Sequence, residues 1–399
     1  MKKLISIILC AVMMINGMSV LALASGDEGG MHDDNNSIDA AIGINSLEIN
    51  AKSAILMDAE TGTVLYMKSA TEALPPASVT KIMTLLLVAE AISDGNISLD
   101  DKVLVSANAA SMGGSQVFIK EGEEFSVEEL VKCTVIASAN DAAVALAELI
   151  SGTESAFVER MNARASELGM KNTHFENATG LDDTVTNHLT SAYDIAIMSR
   201  ELLKHDIITK YSNVWQDSIR EGEFVLTNTN RLVRYYDGCT GLKTGSTDKA
   251  GFCVSATAER DGMHLIAVVM GAETRDERNN AARAMLDFGF SSYAVYSAPE
   301  AELESVEVLR GVADTVGVSS ARFSRLVGKS DRNKIEKEYI IPDELSAPIK
   351  RGEVVGSVVY KLNGEEIGRS DIFVNEDIDQ ITLMDLFFRM IKTILTGRY

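Results

Sequence analysis

The stretch that decides the fold reads Ser78-Val79-Thr80-Lys81-Ile82-Met83-Thr84-Leu85-Leu86-Leu87-Val88-Ala89-Glu90-Ala91-Ile92, with Pro75 and Pro76 just ahead of it. Its apolar composition predicts a largely buried helix. Ser78 and Lys81 lie three residues apart, so a helix places both side chains on one face. A lysine enclosed by apolar residues loses charge and can take the proton of a serine hydroxyl. Taken alone, the pair is more typical of an ordinary helix start with a surface lysine.

A second short motif, Ser138-Ala139-Asn140, lies between two helix-like runs at 126–136 and 141–150. A polar turn between two apolar helices directs side chains into a cleft. There Ser138 can relay a proton to a leaving group, and Asn140 can hold a substrate amide. The alternative is that Asn140 caps the second helix, and the two roles are compatible.

A third motif, Lys243-Thr244-Gly245, precedes the strand-like run 251–256. The two segments predict a hairpin whose first strand lines the edge of a cleft. An extended peptide adds to such an edge through backbone hydrogen bonds, and Gly245 leaves room for its backbone. Lys243 and Thr244 offer a cation and a hydroxyl to a carboxylate. Each motif alone is weak, but the three in this order indicate a serine acyl-transfer site.

The ordered motifs resemble those of the penicillin-binding D-alanyl-D-alanine carboxypeptidases, low-molecular-mass serine peptidases that trim bacterial peptidoglycan. The resemblance covers roughly residues 47–290 and extends to four further segments: 54–66, Phe175-Glu176-Asn177-Ala178-Thr179-Gly180-Leu181, 190–194 and 227–232. It implies the α/β (α+β) penicillin-recognising, β-lactamase-like fold. In that fold an antiparallel sheet with helices lies beside an all-helical region.

The resemblance assigns the acyl-transfer chemistry to three residues. It implies that Ser78 is the acylated nucleophile, that Lys81 is its general base, and that Ser138 passes the proton to the departing D-alanine. Asn140 is implied to contact the acyl side of the substrate. Ala139 stands where the family usually has glycine, and the loop tolerates it only if residue 139 does not need a positive φ.

The remaining substrate contacts are implied at the third motif and beyond it. Lys243 keeps the site electropositive, and Thr244 binds the terminal carboxylate. The backbone N–H groups of the nucleophile and of Ser246 form the oxyanion hole. Arg278 matches an arginine that the family uses near the substrate carboxylate. The alternative for Arg278 is a solvated arginine on a helix surface.

The implied reaction is hydrolysis of the terminal D-Ala-D-Ala bond of peptidoglycan stem peptides through a Ser78 acyl-enzyme, which limits cross-linking. β-Lactam antibiotics are the implied inhibitors. A β-lactamase or a DD-endopeptidase with the same site is an alternative, as is a non-catalytic wall-binding protein. Glu176 does not lie in an E-x-x-L-N pattern, which favours slow deacylation. The intact Ser78, Lys81 and Lys243 favour an enzyme.

Composition excludes some other classes of function. The formal net charge of -21 at pH 7 is unsuited to nucleic-acid binding, which needs a basic surface. The five histidines lack metal-ligand spacing, so neither a metal nor another cofactor is predicted. A hairpin turn near Asp248 would set Cys253 opposite Lys243 and leave Cys239 beyond disulfide reach. Free thiols are therefore expected.

The chain is predicted to have five parts. They are a signal peptide at 1–24, a flexible spacer at 25–46, a serine carboxypeptidase domain at 47–292, a small β-rich domain at 295–375 and an amphipathic helix at 377–396. The signal is indicated by Lys2 and Lys3, an apolar run and the small residues Ala22-Leu23-Ala24. The predicted location is the outer face of the cytoplasmic membrane.

The C-terminal helix is predicted to carry a wide apolar face and a polar stripe that includes Asp385, Arg389 and Lys392. Four charges in the eighteen residues 378–395 argue against a membrane-spanning helix. A basic polar edge beside a wide apolar face suits peripheral attachment to a membrane surface. The alternative is a terminal helix docked on the protein's own β-rich domain.

Overall fold

The computed structural model describes residues 47–396, so the predicted signal peptide at 1–24 and spacer at 25–46 lie outside the described residues. At the centre of the first domain lies helix α1, Lys81–Ser93, in which all but three residues are buried. A 3₁₀ turn, Ala77–Thr80, precedes it and carries Ser78. A helix that is apolar on every side needs neighbours all round, and the surrounding elements provide them.

The neighbours of α1 include three helices, α3, α4 and α6, that pack directly against it. The further helices of this domain are α2 Ala107–Ala110, α3 Val127–Ile136, α4 Asn140–Ser151, α5 Glu154–Glu167, α6 Ala192–Leu202, α7 Asp206–Ser212, α8 Leu232–Tyr235 and α9 Arg275–Ser292. Helix α3 begins at a capping box in which Ser126 and Glu129 satisfy each other's backbone N–H groups. The turn between α3 and α4 holds the second motif.

A five-stranded antiparallel sheet forms the other half of this domain, in the order β2-β1-β9-β8-β7. Its strands are β1 Ser53–Asp58, β2 Val64–Lys68, β7 Cys239–Thr247, β8 Gly251–Arg260 and β9 Met263–Ala272. Two small hairpins complete the domain: β3 Lys102–Leu104 with β4 Glu124–Ser126, and β5 Gln216–Ile219 with β6 Phe224–Thr227. Strand β7 carries the third motif and forms an edge of the large sheet. Helices α6 and α9 pack on the sheet.

The register of the β7–β8 hairpin differs from the predicted one by two residues. Cys253 lies opposite Gly245, whereas Lys243 lies opposite Ser255. The difference arises because the turn occupies three residues after Thr247. Cys239 lies opposite Ala258, and Cys133, Cys239 and Cys253 are free thiols, as expected.

The second domain is an all-β unit with its own hydrophobic core. Its strands are β10 Tyr293–Ala298, β11 Ala301–Glu302, β12 Val306–Leu309, β13 Thr315–Val316, β14 Val318–Ser320, β15 Phe323–Gly328, β16 Ile335–Ile340, β17 Glu344–Ser346, β18 Val354–Leu362 and β19 Glu365–Val374. They form sheets in the orders β11-β14-β19-β18-β16, β13-β12-β17 and β10-β15. Tyr360 lies at the centre of the core, stacked on Phe323 with ring centroids 3.8 Å apart.

The C-terminal helix, α10, runs from Leu383 to Thr396 and begins later than the predicted residue 377. Ile378 is buried in the β-domain core and pairs with Ile349, so the segment before the helix belongs to that domain. Thr382 begins the helix because its hydroxyl accepts a hydrogen bond from the Asp385 N–H. Within residues 47–396 no helix is both long and apolar enough to cross a membrane.

Candidate active site

Ser78 lies in the 3₁₀ turn at the start of α1, half-buried, with Lys81 fully buried one turn further on. Lys81 Nζ lies 2.8 Å from Ser78 Oγ, within hydrogen-bond distance. The pair therefore has the contact that a serine nucleophile and a lysine base require. The surface-lysine alternative is wrong, because Lys81 has no exposed area.

The Lys81 amine makes two further contacts inside the domain. Nζ donates to Asn140 Oδ1 over 2.6 Å and to the backbone carbonyl of Thr179 over 3.0 Å. Both partners are oxygen acceptors without charge. Burial, followed by repulsion from Lys243, lowers the pKa of Lys81 well below its usual range, while Asp141 acts in the opposite direction. Lys81 is thus in a setting that favours the neutral amine.

The second motif brings Asn140 and Ser138 to the same cleft through an unusual backbone. Ser138 has φ of 62°, whereas Ala139 has φ of -62° and ψ of 124°. Ser138 thus adopts the left-handed conformation and residue 139 does not, so alanine is accommodated at position 139 without strain. The substitution of the family's glycine leaves the loop geometry intact.

Asn140 is the first residue of α4 and makes no side-chain cap, so the capping alternative is wrong. Its Nδ2 donates to the Gly113 carbonyl over 2.7 Å, which directs Oδ1 toward Lys81. Both polar atoms of the amide therefore have protein partners. Asn140 thus lies beside Lys81, and the sequence motif gave no sign of its contact with Gly113.

The third motif places Lys243 against Ser138 of the second motif. Lys243 Nζ donates to Ser138 Oγ over 2.8 Å and to the Thr244 carbonyl over 2.9 Å, and Lys243 is almost fully buried. Thr244 Oγ1 donates to Thr229 Oγ1 over 2.8 Å. Three segments far apart in sequence thus meet around two hydroxyls and two lysines.

Arg278 is a buried residue of α9, with 3% of its surface exposed, so the solvated-arginine alternative is wrong. Its guanidinium donates to Asn279 Oδ1. Burial and then repulsion from Arg278 lower the pKa of Lys243 to about 7. The site thus holds two buried cations close enough to repel each other, an arrangement that a substrate anion relieves.

Gly245 lies directly against the nucleophile turn. A Cβ atom at this position would lie 2.8 Å from the Pro76 carbonyl oxygen and from the Ser78 nitrogen. The absence of a side chain at Gly245 thus lets β7 approach the turn that carries Ser78. The sequence had predicted only that Gly245 leaves room for a substrate backbone. Ser246 is exposed, opposite Phe252 near the end of β7.

His188 is a buried partner of the nucleophile turn that sequence reasoning missed. Its Nδ1 accepts the Glu176 backbone N–H over 3.0 Å, so Nε2 carries the proton and donates to Thr80 Oγ1 over 2.8 Å. Burial lowers the pKa of His188 to about 4. A lone histidine in a polar loop carries no sequence signal for this contact.

Two acidic residues near the motifs have structural partners. Asp141 is buried and accepts backbone N–H groups of Val117 and Ile119, which fixes the segment before α3. Glu176 accepts the backbone N–H groups of Thr186 and Asn187 within its own loop. Across the described part of the chain no cluster of three or more His, Cys, Asp or Glu side chains could hold a metal ion.

Comparison with protein families places this geometry in a known group. A family model described as D-alanyl-D-alanine carboxypeptidase matches residues 40–274. A second model, described as penicillin-binding protein 5, C-terminal domain, matches residues 290–380. The two matches follow the division into an α/β domain and a β domain.

Individual proteins give the same result. The chain is 46% identical over 335 residues to D-alanyl-D-alanine carboxypeptidase DacF of Bacillus subtilis, covering 82% of this chain and 86% of the relative. It is similar to the crystal structure of penicillin-binding protein 5 from Haemophilus influenzae, with TM-score 0.69, 31% identity and coverage of 84% and 98%.

A third similar structure holds a β-lactam. Penicillin-binding protein D2 from Listeria monocytogenes, in its ampicillin-bound form, matches with TM-score 0.57 and 32% identity, covering 61% of this chain and 99% of that one. The antiparallel sheet, the central buried helix and both domain matches therefore lead to one conclusion. The chain belongs to the D-alanyl-D-alanine carboxypeptidase family of penicillin-binding serine peptidases.

Proposed function

We propose that the protein hydrolyses the terminal D-Ala-D-Ala bond of peptidoglycan stem peptides through an acyl-enzyme on Ser78, and that penicillin acylates the same serine and inhibits it. The observation that carries the proposal is the set of three contacts at Lys81 Nζ. Two of the three partners can only accept hydrogen bonds, and the third is the Ser78 hydroxyl.

A neutral lysine amine satisfies this set in one way. Its two N–H groups donate to Asn140 Oδ1 and to the Thr179 carbonyl, and its lone pair then faces Ser78. The hydroxyl proton moves to Lys81 as Oγ attacks the scissile carbonyl carbon. The proposed oxyanion hole, formed by the backbone N–H groups of Ser78 and Ser246, would stabilise the charge on the carbonyl oxygen.

Breakdown of the tetrahedral species needs a proton on the leaving amine. Ser138 is suited to relay it, because its hydroxyl is fixed by Lys243 at 2.8 Å. The Ser138 hydroxyl gives its proton to the amine and regains one from the Lys81 ammonium, which returns Lys81 to its neutral form. The C–N bond breaks, D-alanine departs, and water then hydrolyses the Ser78 ester. Attack by the amine of a second stem peptide instead of water would be transpeptidation.

Recognition of the C-terminal carboxylate falls to the β7 side of the cleft. Thr244 offers a hydroxyl there, and Lys243 and Arg278 supply two buried cations. The proposed carboxylate site explains why the family's substrates end in a free D-alanine. Asn140 retains a second Nδ2 hydrogen that can reach the acyl side of the substrate.

Slow release of the penicilloyl group follows from the surroundings of Glu176. A β-lactamase needs a carboxylate that activates water at the ester, whereas the Glu176 carboxylate is bound by two backbone N–H groups of its own loop. This binding supports inhibition by penicillin over rapid turnover.

The test is intact-mass spectrometry of the full-length protein after incubation with benzylpenicillin, together with a D-alanine release assay on diacetyl-Lys-D-Ala-D-Ala. We expect a stable adduct of one penicillin and release of D-alanine, both lost in Ser78→Ala. Folded protein that gives neither result would overturn the proposal in favour of a wall-binding protein. Many turnovers of penicillin per minute without loss of activity would make it a β-lactamase.

We further propose that the enzyme is exported and attached to the outer face of the cytoplasmic membrane through α10. Arg389, on the predicted polar stripe, donates to Asp314 Oδ1 over 2.9 Å and to the Val312 carbonyl over 3.1 Å. The polar edge thus contacts the β domain. The apolar side chains remain exposed, with Phe388 at 62% and Leu395 at 79%. This arrangement argues against docking of the apolar face on the β domain and suits insertion at a membrane interface.

Flotation with vesicles that contain one-third anionic lipid tests the attachment. The full-length protein should float with the vesicles, and the double variant Phe388→Ser/Leu395→Ser should remain at the bottom. Val354→Ser, at an exposed apolar position of β18, is the matched control and should float. Equal flotation of the double variant would contradict attachment through α10.

A further inference from the structure

A cavity of about 270 Å³ lies where the first domain meets the β domain. The first domain contributes the β8–β9 turn and the end of α9 to its lining, and the β domain contributes β10 and the segment that follows β15. None of the lining residues belongs to the three catalytic motifs. The cavity is therefore a site apart from the cleft that holds Ser78.

The charged groups of the cavity are mostly cations. Arg260, Lys329 and Arg332 line it, and among the described residues of the lining only Asp261 is acidic. The chain as a whole carries a net charge of -21, so the cavity has the opposite sign to the protein. Within residues 47–396 none of the three cations forms an ion pair. Cations without a carboxylate partner are available to an anion from solution.

The Arg260 guanidinium is held in a fixed position. Its central carbon lies 4.6 Å from the ring centroid of Tyr236 and 4.6 Å from that of Phe290. Its Nε and Nη2 donate to the Asp237 carbonyl over 3.1 and 2.8 Å. These contacts leave Nη1 for a ligand, and they reduce the side-chain entropy that binding would cost.

Lys329 is held at the junction by contacts with the end of α9. Its Nζ donates to the Phe290 carbonyl over 3.2 Å, and its backbone N–H donates to the Ser292 carbonyl over 2.8 Å. An ammonium group has three N–H donors, so two remain for a ligand. Arg332 supplies the third cation from the exposed 3₁₀ turn Arg332–Lys334. The three cations thus come from both domains.

The charge and the size of the cavity indicate which anion fits. Three cations and one carboxylate leave a net charge of +2. A phosphate monoester carries about -1.5 to -2 at pH 7 and matches this charge, whereas a single carboxylate does not. Sites for drug-sized ligands have about 300–1,000 Å³, so this smaller cavity suits a compact molecule.

The apolar part of the lining favours an organic phosphate over the free ion. Met263, Phe290 and Val295 contribute to this part. Inorganic phosphate has no apolar atoms to bury against these side chains. A phosphate ester of a small alcohol can place its carbon atoms there while its phosphate oxygens accept hydrogen bonds from the cations.

We propose that this cavity binds a short-chain phosphate monoester and that the bound ligand stabilises the junction between the two domains. The proposal goes beyond the proposed function and does not depend on it, because Ser78 and its partners take no part. A ligand held by groups from both domains binds the folded chain in preference to the unfolded chain. It should therefore raise the Tm in a concentration-dependent way.

The test is calorimetry of the full-length protein at pH 7 with glycerol 3-phosphate, inorganic phosphate or acetate, at an ionic strength kept constant with sodium chloride. The dependence of Tm on ligand concentration gives an apparent affinity. We expect glycerol 3-phosphate to bind at least fivefold more tightly than inorganic phosphate and at least tenfold more tightly than acetate. Lys329→Gln and Arg332→Gln should each weaken the binding of glycerol 3-phosphate at least fivefold.

Arg325→Gln is the matched control, because Arg325 is an exposed arginine of β15 that does not line the cavity. It should keep the wild-type affinity. Lys329 and Arg332 are both exposed, and far-UV circular dichroism verifies that each variant is folded.

Three outcomes would overturn the inference. They are an unchanged Tm with glycerol 3-phosphate, an equal loss of affinity in Arg325→Gln and the cavity variants, and binding of inorganic phosphate as tight as that of the ester. The D-alanine release assay is independent of all three, so failure of this inference is distinguishable from failure of the proposed function.

Discussion

At the scale of single residues, Asn140 contacts the Lys81 amine with an uncharged oxygen. Its Nδ2 is bound to the Gly113 carbonyl, so the amide cannot rotate to present a donor to the lysine. Oδ1 therefore competes for one of the lysine N–H groups, and a carbonyl takes a second. Because Asn140 Oδ1 is uncharged, it does not favour the ammonium form of Lys81. A carboxylate at the same position would favour it.

Replacing Asn140 by Asp tests this argument. The new carboxylate should raise the pKa of Lys81 and slow acylation by benzylpenicillin at pH 7 by about a hundredfold, the lower range for loss of a general base. The defect should shrink as the pH rises. Stopped-flow measurement of acylation checks this, with Asn213→Asp at an exposed helix end as control. Acylation of Asn140→Asp at the wild-type rate would show that the charge of Lys81 does not matter.

The dependence of KM on pH should report on Lys243. Its pKa is about 7, lowered by burial and by Arg278, so the amine carries its charge below that pH and loses it above. Substrate carboxylate binding should weaken accordingly, and KM for the D-Ala-D-Ala peptide should rise as the pH increases through 7. Arg278→Gln removes a repelling charge and should move this rise to higher pH. A KM that is constant from pH 6 to 9 would exclude Lys243 from carboxylate binding.

At the scale of elements, the loop at 175–181 holds the turn that carries Ser78 in place. Gly180 has φ of +81°, and a Cβ there would lie 1.8 Å from the Ala77 carbonyl oxygen. The Thr179 carbonyl reaches Lys81, and His188 joins the same loop to Thr80. The loop and the start of α1 therefore form one unit, and its stability depends on a neutral histidine.

The thermal stability should reflect this histidine. Its folded-state pKa of about 4 lies below the ordinary 6.5, so the unfolded chain binds the proton more readily between these values. The stabilisation is complete above pH 6.5 and is lost as the pH falls toward 4, by on the order of 3 kcal/mol. Calorimetry at pH 7 and 4.5 should therefore show a smaller fall of Tm in His188→Gln than in wild type. His205→Gln, at a half-buried site, should behave as wild type, and an unchanged fall in His188→Gln would refute the linkage.

At the scale of the whole molecule, the hydrophobic core around the catalytic motifs is separate from the core of the β domain. The catalytic motifs belong to the first core, and the second is built around Tyr360. Three aromatic rings meet there, since Tyr360 stacks on Phe323 and meets Tyr296 edge-on at 5.9 Å. The β domain thus has the means to be stable independently of the active site.

Removing the central ring tests this independence. Tyr360→Ala should destabilise the β domain by about 3–5 kcal/mol, the cost of deleting a buried aromatic side chain. Acylation of Ser78 by benzylpenicillin should keep its wild-type rate, because none of the catalytic residues contacts this core. Calorimetry and intact-mass kinetics give the two readouts, with the exposed Tyr339→Ala as control. Loss of acylation in Tyr360→Ala would show that the two cores fold as one.

The family followed from the resemblance of the ordered motifs around Ser78, Lys81 and Lys243, and that resemblance implied the fold. Secondary structure near these motifs also followed from local patterns, such as the apolar run of α1. The predicted register of the β7–β8 hairpin was wrong by two residues. Turn length depends on the φ and ψ angles of the turn residues, which the sequence does not reveal. The predicted start of α10 was too early. An apolar residue such as Ile378 is compatible both with an amphipathic helix and with the strand-like pairing that the structure shows.

The sequence by itself determined the family of this protein, since Ser78, Lys81 and Lys243 are recognised by residue type and spacing. Only the tertiary structure decided how the site is tuned. The Gly113 carbonyl that directs Asn140 and the His188 imidazole that holds Thr80 both come from segments outside the three motifs. Their effects depend on distance and burial, and folding alone brings those groups together.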